Sequence, residues 1–358
     1  MKTAKEDIKP GLSVITALRD RNDFLEETLP LRMRFREIDE FIIVDWSSKK
    51  NISEIISRQN DSRIKYVRVE NEPKWMLTPA FNLAASFTEY DKILKADADI
   101  IFGDDFFDHY SMKKGRFYAG NYKLARNRNE IHLNGVVLLW REDFFRVNGY
   151  NEYIRSYGWD DDDLYNRLEN AGLKRLDIDP NHVRHLPHHK RLKYRLESTT
   201  EELIDKHSAK LCTTFNRILT EEFPDWKKSG KRADFHIEKH GSTYICTRKS
   251  KLPKIPSEKI RYSKIKAVDH FLSKMLYKIP QEYINSLTET EKIEIFDSFF
   301  KEELTEDRLR FLKLLNFIRE YGADDLKFVN DLYSSYSWRI GHGFVKIAEK
   351  IIKPFRKK

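Results

Sequence analysis

Four short apolar runs alternate with helix-patterned stretches in the first hundred residues, and this order restricts the chain to a layered α/β sheet. Leu12–Leu18 is a β-rich run, Asp23–Glu37 reads as helix, and Phe41-Ile42-Ile43-Val44-Asp45 reads as a buried strand. Asn51–Arg58 is helical in pattern, Ile64–Val69 alternates as a strand, Pro79–Thr88 is a helix opened by proline, and Lys92–Ala96 is the next strand. Strands followed by helices favour parallel pairing, and such sheets bind ligands beyond the carboxyl ends of their strands. Asp45 and Asp97-Ala98-Asp99 stand at two such ends. Carboxylates at i and i+2 can hold a divalent cation, and a cation held there can neutralise a diphosphate.

The second half reads differently. Longer β segments follow Tyr118, with Ile131–Trp140 the clearest, then a helix at Arg141–Val147. Asp160–Asn170 has the pattern of a helix with four aspartates in its first turn and Gly172 just past its end. One capping residue suffices for a helix, and four adjacent carboxylates repel one another, so the cluster points to chemistry as well as capping. From Leu196 onward helical periodicity dominates, notably at Ser257–Leu276, Glu289–Phe300 and Thr305–Tyr321. Pro253-Lys254-Ile255-Pro256 resists helix and reads as a linker.

Composition narrows the function classes. With 358 residues and 40% hydrophobic content the chain can bury a sizeable core. It contains no apolar run near the roughly 20 residues of a membrane span, and Met1–Asp7 lacks the apolar core of a signal peptide, so cytoplasm is the expected compartment. Two distant cysteines, Cys212 and Cys246, exclude a cysteine-built zinc site. The net charge of +9 is uneven: Arg184, Lys190, Arg191, Lys193 and Arg195 crowd one stretch, and six basic residues against Glu349 close the chain from Gly341 to Lys358. Nucleic acid, anionic lipid and phosphorylated small molecules are the partner classes such charge admits. Phe344, Ile347, Ala348, Ile351 and Phe355 recur at helical spacing, which suits either a helix lying on an anionic membrane surface or one packed on the body.

The ordered motifs resemble a known family. Ser13–Arg19, the strand ending at Asp45, Ala80-Phe81-Asn82-Leu83-Ala84 and Asp97-Ala98-Asp99 are similar to the nucleotide-sugar half of family-2-type glycosyltransferases with the GT-A fold. Asn134-Gly135-Val136-Val137, Arg141–Phe144, Asn148-Gly149-Tyr150 and Gly158–Leu168 resemble the acceptor-side region of β-1,4-galactosyltransferases and bacterial chondroitin-type polymerases. The resemblance covers about residues 11 to 192. It implies an α/β GT-A domain over 10–195; the prolines, helical periodicity and terminal charge described above set an extension and linker over 196–256, a mainly helical region over 257–340 and a basic amphipathic tail over 341–358.

The resemblance further implies an inverting, metal-dependent transfer of a hexose or N-acetylhexosamine from a UDP-sugar to a glycan or lipid-linked glycan in surface polysaccharide assembly, with Mn2+ or Mg2+ as cofactor. By it Thr16, Arg19, Asp45, Asn82, Asp97, Gly135 and Arg191 line the donor. Asp99, with Asp97 and a histidine, holds the metal; His185 fits that role best and His188 is second. The family's acidic motif usually reads Trp-Gly-Gly-Glu-Asp, whereas this chain has Tyr157-Gly158-Trp159-Asp160-Asp161. The matching base is Asp161, with Asp160 as rival, and Trp159 and Asp162 fall on the acceptor side. Among Trp75, Trp140, Tyr157 and Trp159, only Trp159 lies inside the motif as a sugar platform. Two other classes share parts of the pattern. A nucleotidyltransferase making NDP-sugars normally shows a glycine-rich phosphate loop, which Gly11-Leu12-Ser13 is not. A basic nucleic-acid-binding protein accounts for the charge but not for the acidic motifs, and ranks last.

Overall fold

The computed structural model describes residues 8–127, 129–187, 199–224, 226, 232–275 and 281–300. Thr305–Tyr321, the 341–358 tail, His188, Lys190 and Arg191 lie outside the described residues. Two compact units are distinguished: one comprises Met1–Arg155, Asp160–Pro187 and Phe223–Lys254, the other Ser156–Trp159, His188–Glu222 and Ile255–Lys358.

The first unit is built on a nine-stranded mixed sheet. Its strands are β1 (Lys9–Leu18), β2 (Glu40–Trp46), β3 (Ile64–Glu70), β4 (Tyr90–Lys95), β6 (Arg116–Ala119), β7 (Val137–Trp140), β8 (Lys174–Asp177), β10 (Phe235–His240) and β11 (Thr243–Arg248). They lie in the order β10-β11-β3-β2-β1-β4-β7-β6-β8. The central strands β11, β3, β2, β1 and β4 are parallel, and β7 runs antiparallel to β4. A separate two-stranded antiparallel ladder joins β5 (Ile100–Phe102) to β9 (Val183–His185).

Both faces of the sheet are covered, which is why its central strands read as continuous apolar runs. In β2, Ile42, Val44 and Trp46 enter one core while Phe41 and Ile43 enter the other. Helices α1 (Asn22–Met33), α2 (Ser53–Gln59) and α4 (Phe106–His109) contribute to the second core. Helices α3 (Leu77–Ser86), α5 (Arg141–Arg146) and α6 (Asp160–Asn170) contribute to the first.

Three segments depart from the sequence reading. Helix α1 stops at Met33 rather than Glu37. Ile131–Trp140 is not one strand: Glu130–Gly135 forms a 3-10 helix and only Val137–Trp140 pairs in the sheet. The cause is a close approach. A Cβ on Gly120 would lie 1.8 Å from the Leu133 carbonyl oxygen, and the Tyr165 hydroxyl donates to the Asn134 carbonyl at 2.6 Å, so this backbone turns away from the ladder. Within 196–256, expected to be helical extension and linker, Phe235–His240 and Thr243–Arg248 form a hairpin that turns at Gly241 (φ +64°) and adds to the sheet through β3. The first unit is therefore discontinuous in sequence, and its last segment ends at Lys254, inside the expected proline linker.

In the second unit, helices Thr199–Glu221, Ser257–Met275, Gln281–Ser286 and Glu289–Ser298 bury Leu211, Leu219, Val268, Leu272 and Ile295. Thr288 opens the last of these with a capping box to Glu291. Among the described residues no helix is long and apolar enough to cross a membrane.

Candidate active site

The Asp97–Asp99 turn is held by its backbone. Thr16 Oγ1 donates to the Ala96 carbonyl at 2.9 Å, and Thr28 Oγ1 to the Ala98 carbonyl at 2.7 Å. Arg32, one helical turn beyond Thr28 on α1, donates to the carbonyls of Asp97 and Ile100 and to Thr16 Oγ1. The Leu186 amide reaches the Asp99 carbonyl at 2.8 Å. Every carbonyl from Ala96 to Ile100 thus has a protein donor. With its backbone satisfied, the turn is free to aim its two carboxylates. Arg32 is 1% exposed. Burial pulls its pKa down to about 10, against the opposing pull of Asp99 and Asp97, so it stays charged at neutral pH.

Asp97 faces a buried cation. Lys95 Nζ lies 3.0 Å from Asp97 Oδ1 and 3.4 Å from Asp161 Oδ1, and 4.6 Å from the centre of the Phe81 ring. Burial opposes the lysine's charge, but Asp161, Asp97 and Asp160 outweigh it and hold its pKa above the ordinary lysine value. The Tyr150 hydroxyl donates to Asp161 Oδ1 at 2.9 Å. Gly135 makes this convergence possible: a Cβ there would meet Lys95 Nζ at 2.8 Å, Asp97 Oδ2 at 2.9 Å and Asp161 Oδ2 at 3.3 Å. Burial raises the pKa of both Asp160 and Asp161; Asp161 adds to the rise at Asp160, and Asp97 to that at both, while Lys95 opposes it.

Asp99 faces an imidazole instead. The β5–β9 ladder pairs Ile100 with His185, which brings His185 Nε2 to 3.4 Å from Asp99 Oδ2. Two ligands held at about 2.1–2.3 Å by one ion stand about 3.0–3.7 Å apart, so this pair fits a shared divalent cation. His185 Nδ1 lies 2.8 Å from Asn129 Oδ1. An amide oxygen only accepts, so Nδ1 donates to it and Nε2 is the nitrogen turned toward Asp99, the orientation a metal-binding histidine needs.

The remaining expected residues divide. Gly135, Asp97, Asp160 and Asp161 meet as described. Thr16 is buried in the Arg32 network and holds the turn rather than an open pocket wall. Arg19 donates to the carbonyls of Glu72 and Pro73. Asp45 is fully buried and accepts from the Ser48 amide, the Tyr66 hydroxyl and Arg68, so its carboxylate is already occupied. Asn82 is likewise consumed, since it donates to the Tyr150 carbonyl and Glu152 and accepts from the Tyr150 amide. These two organise the walls from behind, where the resemblance implies donor contact.

Asp162 is partly buried, with its pKa raised by that burial and opposed by Arg175 and Lys123. Asp163 serves structure: it pairs with Arg167 at 2.6 Å, and Arg167 in turn donates to the carbonyls of Val147 and Gly149. Within the second unit, Trp159 has φ +71° and donates its indole N–H to Thr220 Oγ1 at 3.1 Å. This is a left-handed backbone, which glycine adopts without steric cost, although the residue here carries a large side chain. Asn216 caps this turn through the carbonyls of Ser156, Tyr157 and Gly158.

Lys95, Arg32, Tyr150 and Asn129 were not foreseen as site residues. A lysine between Leu94 and Ala96 at the end of an apolar strand was the available signal for the first. Arg32 and Asn129 carry no local signal, because their partners lie 65 and 56 residues away.

Residues 116–190 match the family described as the N-terminal domain of galactosyltransferase. Among curated proteins, β-1,4-galactosyltransferase 7 of Drosophila melanogaster is 24% identical over 151 residues, which are 41% of this chain and 45% of that protein. The match therefore spans less than half of the relative's length. Among solved structures, the catalytic domain of Drosophila β-1,4-galactosyltransferase 7 in complex with xylobiose has 14% identity and a TM-score of 0.42 over 71% of this chain and 98% of that one. A mannosyltransferase of Pyrobaculum calidifontis in complex with GDP-Man and Mn2+ has 12% identity and a TM-score of 0.46 over 99% of this chain and 89% of that one. The family match takes in Gly135, the acidic helix and His185 together, so the chain is similar to galactosyltransferases over the segment that carries them.

Proposed function

We propose that this protein is an inverting, divalent-metal-dependent transferase that moves a hexose or N-acetylhexosamine from a UDP-sugar to a hydroxyl of a glycan. One observation carries the reading: the buried Lys95 ties Asp97 to Asp161, 66 residues beyond the lysine in sequence, so the turn that carries Asp97 and Asp99 and the acidic helix meet around one cation. The curated fly relative is named as a galactosyltransferase, and a structure of its mutant holds manganese, UDP-Gal and xylobiose, which supports galactose as the first donor to try.

Asp99 and His185 would hold the metal, with Asp97 beside them. A bound Mn2+ or Mg2+ supplies positive charge to the departing diphosphate, so no acid is required there. Asp161 takes the proton of the acceptor hydroxyl as its oxygen attacks the anomeric carbon and the bond to UDP breaks. Burial raises the proton affinity of this carboxylate, which suits it to the work of a base near neutral pH. Tyr150 and Lys95 both meet its Oδ1 and so fix its orientation.

The setting we favour is assembly of a bacterial-type surface polysaccharide on a lipid-linked acceptor at the cytoplasmic face of the plasma membrane. The basic, amphipathic pattern of residues 344–358 supports it. Deleting those residues is expected to weaken binding to anionic vesicles while sparing transfer to a soluble acceptor; unchanged vesicle binding removes the tail as anchor. Product formation from a panel of UDP-sugars and oligosaccharide acceptors tests the activity itself. Transfer by wild type that Asp161→Asn abolishes is expected, and no transfer from any donor would overturn the reading.

A further inference from the structure

The β5–β9 ladder has a second cluster of ligating side chains at its other end. Phe102 pairs with Val183, so the residues flanking that pair, Gly103 and His182, are neighbours, and the Gly103 amide donates to the His182 carbonyl at 2.8 Å. The chain then turns through Asp105 into α4, which delivers His109. His109 Nε2 lies 3.2 Å from Asp105 Oδ2, and His182 Nε2 lies 4.0 Å from the same oxygen. The two imidazole rings stack with centroids 4.0 Å apart. Gly103 leaves room for this: a Cβ there would stand 3.1 Å from Asp105 Oδ1 and 3.2 Å from the His182 carbonyl oxygen.

We propose that Asp105, His109 and His182 form a second metal-ion site, for a borderline transition ion such as Zn2+ or Ni2+, at the end of the β5–β9 ladder away from Asp99 and His185. Three observations converge on it. All three residues bring a ligand atom within 4.8 Å of the other two. The donor set of two imidazoles and one carboxylate is that of zinc and nickel sites rather than of magnesium or calcium sites, which favour oxygen. His182 is oriented from behind, its Nδ1 lying 2.7 Å from the Tyr110 hydroxyl, which itself accepts from the Asp179 amide at 2.8 Å. In the Nδ1–H tautomer the hydroxyl's second lone pair accepts from the ring and Nε2 is left to ligate, the arrangement of an outer-shell partner at a metal-bound histidine.

Geometry requires little movement. Ligands about 2.1 Å from a tetrahedral ion stand about 3.4 Å apart. The 3.2 Å separation already fits, and the 4.0 Å one closes by rotation of Asp105 and His109, whose side chains are 55% and 49% exposed. The same rotation tilts the His109 ring out of the stack, so that both rings can point at one ion. Such an ion joins the segments that follow β5 and precede β9, and so clamps the ladder whose opposite end carries Asp99 and His185.

The test is calorimetric titration of the metal-free full-length protein with Zn2+, for wild type, His109→Ala, Asp105→Asn and Asp99→Ala, each paired with a thermal melt with and without Zn2+. His109 and Asp105 are exposed, so both variants are expected to fold. Zn2+ binding in wild type and Asp99→Ala that weakens at least tenfold in His109→Ala and Asp105→Asn, with a Zn2+-induced rise in Tm lost in those two alone, supports the site. Equal Zn2+ affinity in His109→Ala and wild type overturns it, as does Zn2+ binding that vanishes in Asp99→Ala, which would assign the ion to the donor-side pair. The outcome does not depend on whether any sugar is transferred.

Discussion

Asp97 and Asp99 are two residues apart on one turn, yet the protein sets different partners against them. Asp97 is matched by an internal cation, Lys95, which is buried and shared with Asp161. Asp99 is matched by the imidazole of His185, whose Nδ1 is committed to Asn129. An ammonium on the chain is permanent, so the first pair is complete in the protein alone. The second pair has the spacing of ligands and acquires full charge balance only with an added ion. The difference teaches that the two aspartates of such a motif need not do the same work: here one ties the turn to the acidic helix and the other faces an imidazole at the spacing of a ligand pair.

Removing Lys95 should have the largest effect, because it takes a buried cation from two partly buried carboxylates, Asp97 and Asp161. Lys95→Met is expected to lose about 3–5 kcal/mol of stability by urea unfolding and most transfer activity with it. Unchanged stability would mean that Asp97 and Asp161 do not depend on the lysine. Asp161→Asn leaves the cation in place and removes only the base, so transfer should fall by about 10²–10⁴-fold while UDP-sugar affinity stays within a few-fold. Near-normal turnover would move the base to Asp160.

Asn129→Ala acts on the other pair alone. Freed from its oxygen acceptor, His185 should hold metal about 10–100-fold more weakly with Asp97 and Asp161 undisturbed. Equal Mn2+ affinity in this variant would show that the His185 orientation is set elsewhere. The smallest effect is a pH dependence at Asp160, whose folded pKa is raised by burial and by Asp161. A carboxyl whose pKa is raised on folding adds stability below its unfolded pKa, and that contribution is lost as pH rises through the folded value. Urea unfolding of Asp160→Asn should therefore show a flatter decline than wild type above the ordinary carboxylate range. Parallel profiles would contradict a strained, buried Asp160.

The sequence exposed the sheet where burial on both faces made strands apolar, as in β2, and where α6 announced itself by its acids and Gly172. It misled at Ile131–Trp140, whose composition suits a strand but whose backbone is turned by contact with Gly120, an effect invisible in local pattern. It concealed the Phe235–Arg248 hairpin, because His236, Glu238, Lys239 and His240 dilute the apolar alternation of an edge pair. Asp97-Ala98-Asp99 and the histidine stretch that contains His185 were legible as motifs, and the fold sets Asp99 beside His185. The supporting residues were not: Arg32 is one of many arginines on helices, and only the folded chain shows that it carries the turn.

The central claim is that Asp99 and His185 present a metal to the donor while Asp97 serves the base. The most direct measurement is calorimetric titration of UDP-Gal and related UDP-sugars with and without Mn2+, for wild type, Asp99→Ala and Asp161→Asn. The account predicts Mn2+-dependent binding of one donor, lost in Asp99→Ala and retained in Asp161→Asn. Donor binding that survives Asp99→Ala, or that is indifferent to Mn2+ in the wild type, would contradict it.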